Sequence, residues 1–324
     1  MENFELSKIP DEQSIRQDLI RNKLEGVRET FFRGRSPDTI RSDKKSLELF
    51  ATFIGASSFE DLCTKFFSQD PGDANMKALE FKNWLVEQKK SPSTVNRRLC
   101  ALSSLSKALR FGGAITWTPE IHYVPVETYR DTSGPGTDRF SEVMASLAKD
   151  TSPMAIRDRT ILILLHDAAL RRGELVSVDL ENYKPEDNCI WVKAKKRTAR
   201  VKIDLAPEMK AAIEDWLVIR GSSPGPMFIN FDNSQKGSST RLSGRSIARI
   251  THKYGIGNPH GIRHMAVGEL SEALNGNIVE VMKFARHKDP KVTMIYIDNL
   301  KKRDAEGSKI LAEFRHGNRK PKSP

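Results

Sequence analysis

The sequence predicts a mainly α-helical chain of two domains, the second of which carries a small antiparallel β-sheet. Helical spacing of apolar residues along most of the chain, against a single pair of short alternating segments, carries that expectation. A third observation divides the chain. The stretch from Gly112 to Asp138 holds Pro119, Pro125, Pro135 and several glycines without helical period, as a linker does. With 324 residues, 38% of them hydrophobic, there is material for two separate cores. The expected boundaries are 1–118 for a helical first domain, 119–138 for the linker, 139–318 for the second domain and 319–324 for a basic tail.

Within the first domain, Ser36 as N-cap and Pro37 in the first turn open a helix. Its apolar face is Ile40, Leu47, Phe50 and Ile54, and Gly55 stops it. Met76, Leu79, Phe81, Trp84 and Leu85 space out a second helix. Ser91 and Pro92 open a third, with Val95, Leu99, Leu102, Leu105 and Leu109 on one face and Gly112 and Gly113 at its end. Beyond the linker, IRDRTILILLHDAAL reads as a buried helix, CIWVKA and RVKIDL as two strands round a basic turn, and PEMKAAIEDWLVI as helix again. SGRSIARITHKY, GIRHMAVGELSEAL, NIVEVMKFA and a last segment near SKILAEF continue the helical spacing. In that last segment Ile310, Leu311 and Phe314 form an apolar stripe that suits docking on a neighbouring protomer or on its own domain.

Lysine and arginine number 53 against 42 acidic residues, a formal charge of +11 that favours a polyanion such as nucleic acid, with solubility alone as the alternative. Where the charge lies is informative. Two helix starts, SPDTIRSDKK and SPSTVNRRL, place Arg41, Lys44 and Lys45, and Arg97 and Arg98, beside backbone donors, a setting for phosphate or simply a solvated face. The three cysteines are scattered, with no CxxC pair, so zinc or disulfide chemistry is not expected and a reducing cytoplasm fits. MENFELSKIPDEQ lacks the apolar core of a signal peptide and no run approaches a membrane span, so neither secretion nor membrane insertion is expected.

Four motifs in the second domain concentrate phosphate-handling chemistry. In Ala169-Leu170-Arg171-Arg172-Gly173-Glu174-Leu175, a guanidinium with a carboxylate three residues on makes either a phosphate clamp oriented by Glu174 or a surface ion pair. The turn of WVKAKKRTARVKIDL crowds Lys193, Lys195, Lys196, Arg197, Arg200 and Lys202, which can reach a groove or merely solvate the hairpin. Asn258-Pro259-His260-Gly261-Ile262-Arg263-His264 sets an imidazole and a guanidinium one turn apart at a helix start. Metal binding by His260 and His264 is the rival there, but the glutamate of a zinc-protease helix is Gly261. The fourth motif, Ala285-Arg286-His287, precedes Tyr296 by nine residues counted from His287. Taken alone, such a tyrosine is more often a core residue with its hydroxyl satisfied.

Together, in this order, the motifs resemble those of the tyrosine recombinase or phage integrase family, to which lambda integrase, Cre and Xer proteins belong. The family's A/G-L-R-x-G/S-E-L box matches Arg171 and Glu174, its H-x-x-R box matches His260 and Arg263, and its third box matches His287 ahead of the nucleophile-like Tyr296. Many members have Leu-Gly before that third histidine, whereas this chain has Ala285-Arg286, a departure that bears on the local backbone.

The resemblance implies a SAM-like helical core-binding domain followed by a catalytic domain, closing as a clamp round double-stranded DNA. It implies that Tyr296 attacks the scissile phosphate to give a 3′-phosphotyrosine, with Arg171 and Arg263 clamping the phosphate, His260 assisting proton transfer and His287 hydrogen-bonding the phosphate. Lys196, or Lys195 beside it, would protonate the leaving 5′-oxygen. No metal or other cofactor is expected, because two fixed guanidiniums supply the charge neutralisation. Expected partners are inverted-repeat DNA sites and a homotetramer at synapsis, with the protein cytoplasmic and at the nucleoid when bound. The rivals are a type IB topoisomerase or telomere resolvase, and a catalytically silent DNA-binding protein.

Overall fold

The structure is a computed structural model and describes residues 11–126, 134–193, 200–231, 237–297 and 315. The chain divides into two compact units, Met1–Glu127 and Thr128–Pro324.

In the first unit, five described helices follow one another: α1 (Glu12–Phe32), α2 (Pro37–Phe53), α3 (Phe59–Phe67), α4 (Pro71–Glu87) and α5 (Pro92–Phe111). Local chemistry starts them. Asp11, Ser36 and Ser58 accept the backbone N–H of Ser14, Thr39 and Asp61 at 2.7, 3.2 and 3.0 Å, and prolines open α2, α4 and α5, where a missing N–H costs nothing. The core is aromatic at its centre, with Phe50 edge-on to both Phe66 and Phe81 at 4.9 Å between ring centroids. α1 and α3 are additional to the helices expected from the sequence. On α4 the buried face is Ala74, Ala78, Phe81 and Leu85, and Met76, expected on the apolar face, is exposed. Two residues along a helix amount to a rotation of roughly 200°, which turns Met76 away from Ala74.

One buried carboxylate ties α2 to α5. Asp43 is 1% exposed and accepts from Arg35 Nη1 and from Arg97 Nη2, each at 2.6 Å, while Arg98 donates to Ser46 Oγ at 3.2 Å. The pairing is needed, because a lone carboxylate at that depth would be left desolvated and uncompensated.

The second unit comprises α6 (Thr137–Lys149), α7 (Pro153–His166), the short α8 (Arg172–Val176), α9 (Pro207–Arg220), α10 (Gly244–Lys253), α11 (Pro259–Ala273), α12 (Ile278–Ala285) and α13 (Pro290–Ile297). Strands β1 (Tyr183–Lys184), β2 (Cys189–Lys193) and β3 (Arg200–Asp204) form an antiparallel sheet in that order, with Lys193 opposite Arg200 at the turn. A second antiparallel pair, β4 (Ile229–Phe231) and β5 (Gly237–Arg241), is additional to the one small sheet expected. Its segment GSSTR has neither the alternation nor the β-branched content from which a strand is read. The core gathers round α7, whose Ile161, Leu162, Leu164 and Leu165 are all fully buried, and includes Ile213 and Trp216 of α9. Among the described residues no helix is long and apolar enough to cross a membrane.

A smaller apolar cluster prepares the site. Ala169, Val267, Val281 and Ala285 are each fully buried and bring the segment after α7 against α11 and α12. Two of the four are alanines, so the backbones at 169 and 285 lie within reach of side chains from α11.

Candidate active site

The segment after α7 turns sharply: Ala169 has φ of +42°, in the left-handed region, and Arg171 then caps α8. Glu174, 2% exposed, accepts the Arg171 backbone N–H through Oε2 at 3.0 Å and the Arg171 guanidinium through Oε1 at 2.7 Å. Burial alone would raise this carboxyl, but the backbone and side-chain N–H groups of Arg171, with the charges of Arg286 and Arg171, hold it below its ordinary value. Glu174 is therefore an anion that fixes Arg171 from beneath, while the Arg171 side chain keeps 31% of its surface exposed.

On α11, the Asn258 side chain accepts the N–H groups of His260 and Gly261 at 2.9 and 3.0 Å, and Pro259 opens the helix. This sets His260 in the exposed first turn and Arg263 one turn deeper, 1% exposed. Arg263 donates to the carbonyls of Ala169 and Ala285, and its Nη2 lies 3.2 Å from His287 Nε2. Since guanidinium is only a donor, His287 Nε2 accepts, and the proton belongs on Nδ1, which stands 2.9 Å from Thr293 Oγ1 in α13.

The same cations set the imidazoles. Burial first, then Arg263, Arg171, Arg286 and His260, push His287 down to about 4. His260 is exposed as a residue, yet its ring is lowered too, by lost hydration and then by Arg263 and Arg171. Both rings are therefore neutral at pH 7. An NMR titration of the ring protons should place the His287 midpoint near 4. Because the unfolded value is about 6.5, the unfolded chain takes up this proton first, so stability should fall as pH drops from about 6.5 towards 4 and be unaffected by this group above that range. A midpoint at or above the unfolded value would mean a hydrated or carboxylate-paired ring.

The structure thus brings together four residues singled out from sequence, Arg171, His260, Arg263 and His287, with Glu174 beneath them. Tyr296 belongs to α13, one helical turn after Thr293, and its side chain lies outside the described residues. Lys195, Lys196 and Arg197 lie outside them as well. In the first unit, Arg41 pairs with Asp38 at 3.1 Å, Lys44 Nζ lies 5.5 Å from the Phe32 ring centroid, Lys45 is exposed, and Arg97 and Arg98 face Asp43 and Ser46. Among the described residues no group of three or more His, Cys, Asp or Glu is placed to hold a metal ion.

Comparison with known proteins gives this cluster its setting. The sequence pattern of the phage integrase family matches residues 137–303. The chain is 32% identical over 315 residues to a tyrosine recombinase of Synechocystis, slr0733, covering 93% of this chain and 96% of that one. This protein belongs to the tyrosine recombinase family.

Two solved structures share the recombinase fold. A XerH recombinase bound to a palindromic substrate after cleavage matches with a TM-score of 0.59 and 15% identity over 95% of this chain and 99% of that one. A lambda integrase tetramer bound to a Holliday junction matches with a TM-score of 0.62 and 15% identity over 90% of this chain and 81% of that one. Membership supports a site-specific recombinase as the class of enzyme. Two residues of this recombinase's cluster, Thr293 and Arg286, have no role at the site in the sequence expectations, although Arg286 stands there as a departure before the third-box histidine. Thr293 sits amid apolar residues with nothing to mark it, whereas Arg286 shows as a basic residue where a helix ends without glycine.

Proposed function

We propose that the chain cuts and rejoins DNA at specific sites through a 3′-phosphotyrosine on Tyr296, without metal. The observation that carries this reading is the convergence of Arg171, Arg263, His260 and His287, with α13 attached to the cluster through the Thr293–His287 contact one turn before Tyr296. Tyr296 Oη bonds to the scissile phosphorus as the bond to the 5′-oxygen breaks. Its proton passes to His260, which is neutral and able to accept it, and Lys196 or Lys195 donates a proton to the departing 5′-oxygen. Arg171 from the surface and Arg263 from beneath neutralise the charge that develops on the nonbridging oxygens. Attack by a 5′-hydroxyl reverses the step and reseals a strand, so the energy of the linkage is kept in the ester.

In this reading the first unit is the core-binding domain, with Arg41, Lys44, Lys45, Arg97 and Arg98 towards DNA, and Arg197 reaches it from the hairpin of the second. The partner is double-stranded DNA with inverted-repeat arms, the active assembly is a tetramer, and the protein works in the cytoplasm on the nucleoid. The solved relatives on a palindromic substrate and a Holliday junction support those expectations by analogy. The segment with Ile310, Leu311 and Phe314, outside the described residues, would dock on a neighbouring protomer or on its own domain.

Nicked duplexes from the flanks of the gene, incubated with the protein in chelator, should give an SDS-stable, protease-sensitive adduct. A strict requirement for divalent metal would contradict the mechanism. Tight, salt-sensitive binding with no adduct under any condition would favour a silent DNA-binding protein.

A further inference from the structure

We propose that Arg286 is a positioning residue of the cleavage site, joining the support of Arg171 to the support of Arg263. The proposal rests on the phosphotyrosine reading and deepens it. Arg286 ends α12 with φ of +54°, a backbone conformation that suits glycine. Its contacts are extensive. The side chain is 9% exposed, and Nη1 donates to the carbonyls of Ala168 at 3.1 Å and Phe284 at 3.0 Å. Nη2 donates to the Ala169 carbonyl at 2.7 Å and lies 3.4 Å from Glu174 Oε2.

Each of the last two partners already serves an arginine of the site. The Ala169 carbonyl accepts from Arg263 Nη1, and Glu174 holds Arg171 by its other oxygen at 2.7 Å. Arg286 is thus bonded to both supports at once, and the carbonyl it shares with Arg263 belongs to the second left-handed residue of the site, Ala169. Arg263 also spans these two turns through the Ala169 and Ala285 carbonyls, and Arg286 is the guanidinium that adds Glu174 to the same support. Without it, Glu174 keeps Arg171 and the Ala169 carbonyl keeps Arg263, but the link between these two supports is lost, so the separation of Arg171 and Arg263 is held less tightly. No contact of Arg286 with substrate is invoked.

Electrostatics provides a readout that simple bracing of the turn would not move. Glu174 faces Arg171 and Arg286, and His287 faces Arg263, Arg171, Arg286 and His260. Removing the Arg286 charge should ease protonation of both groups, making Glu174 a neutral acid and His287 a cation at higher pH than in wild type, so the acidic limb of a rate profile that requires ionised Glu174 and neutral His287 should move to higher pH.

The experiment is single-turnover cleavage of a nicked duplex as a function of pH, for wild type, Arg286→Gly, Arg286→Asn and Arg286→Lys, with melting temperature and DNA affinity measured alongside. Glycine and asparagine both tolerate the left-handed backbone. We expect both to fold and to bind DNA within about twofold of wild type, to cleave on the order of tenfold to a hundredfold more slowly, and to show the acidic limb displaced upward. The lysine variant, which keeps the charge and loses the fork, should keep the wild-type limb while remaining slow. Glycine and asparagine variants that cleave within twofold of wild type with an unchanged profile would overturn the proposal, as would failure of both to fold, which would make Arg286 a requirement of the fold. If wild type itself gives no adduct, the phosphotyrosine reading fails first, and that outcome is read separately from the variants.

Discussion

Tyr296→Phe should abolish the covalent DNA adduct while leaving DNA affinity within about twofold of wild type, because it removes one oxygen and keeps the ring. The loss in cleavage rate should be on the order of 10⁴-fold or more, as when a nucleophile is removed. Among the described tyrosines, Tyr254 donates its hydroxyl to Asp158 at 2.9 Å and Tyr183 donates to Glu214 at 3.3 Å. Burial, and then the neighbouring carboxylates, raise both phenols, Tyr183 to about 12, which makes either a still poorer nucleophile. The test is an SDS gel of protein and labelled nicked duplex with peptide mapping of any linked product. An adduct that survives Tyr296→Phe, or that maps elsewhere in wild type, would remove Tyr296 from its assigned role.

Arg263→Lys should be nearly as severe, for a different reason. The guanidinium reaches two backbone carbonyls from segments on either side of α11 and lies against His287, all while 1% exposed. An ammonium is a point charge on a flexible stem and cannot reproduce that fork. The Ala169 carbonyl would keep Arg286, but the Ala285 carbonyl would lose its guanidinium donor, at a cost of about 1–3 kcal/mol in stability. Cleavage should fall on the order of 10²–10³-fold, as when one electrostatic donor is withdrawn from a transition state. Thermal unfolding and single-turnover cleavage check the two parts together. Near-normal cleavage with lowered stability would leave Arg263 as a structural member of the cluster and nothing more.

The parts of the molecule that were legible in the sequence are those written in short-range chemistry. Ser36 and Pro37 start α2 by a side-chain bond and a fixed φ, and the apolar spacing from Val95 to Leu109 follows from 3.6 residues per turn. Arg171 with Glu174, and His260 with Arg263, were legible for the same reason, since three residues along a helix start place the pair together wherever the helix goes. α1 was harder to see because Ile20, Leu24, Val27 and Phe31 are thinly spread among charged neighbours, although their spacing is helical. The contacts of Arg286 had no local signature at all. Its acceptors include the carbonyl of Ala168, 118 residues away, and a backbone carbonyl carries no side-chain identity for a sequence to display.

Asp43 changes what the basic surface of the first unit would contribute to binding a polyanion. Arg35 and Arg97 both end on this one carboxylate, so the trio carries a net charge of +1, although two guanidiniums are present. Ions condensed on DNA are released in proportion to the phosphates that are neutralised, so the trio would release about one sodium ion where two unpaired arginines would release nearly two. Affinity gained through this trio would accordingly depend only weakly on ionic strength. A tally of arginines on this face therefore overstates how steeply added salt would loosen it from a duplex.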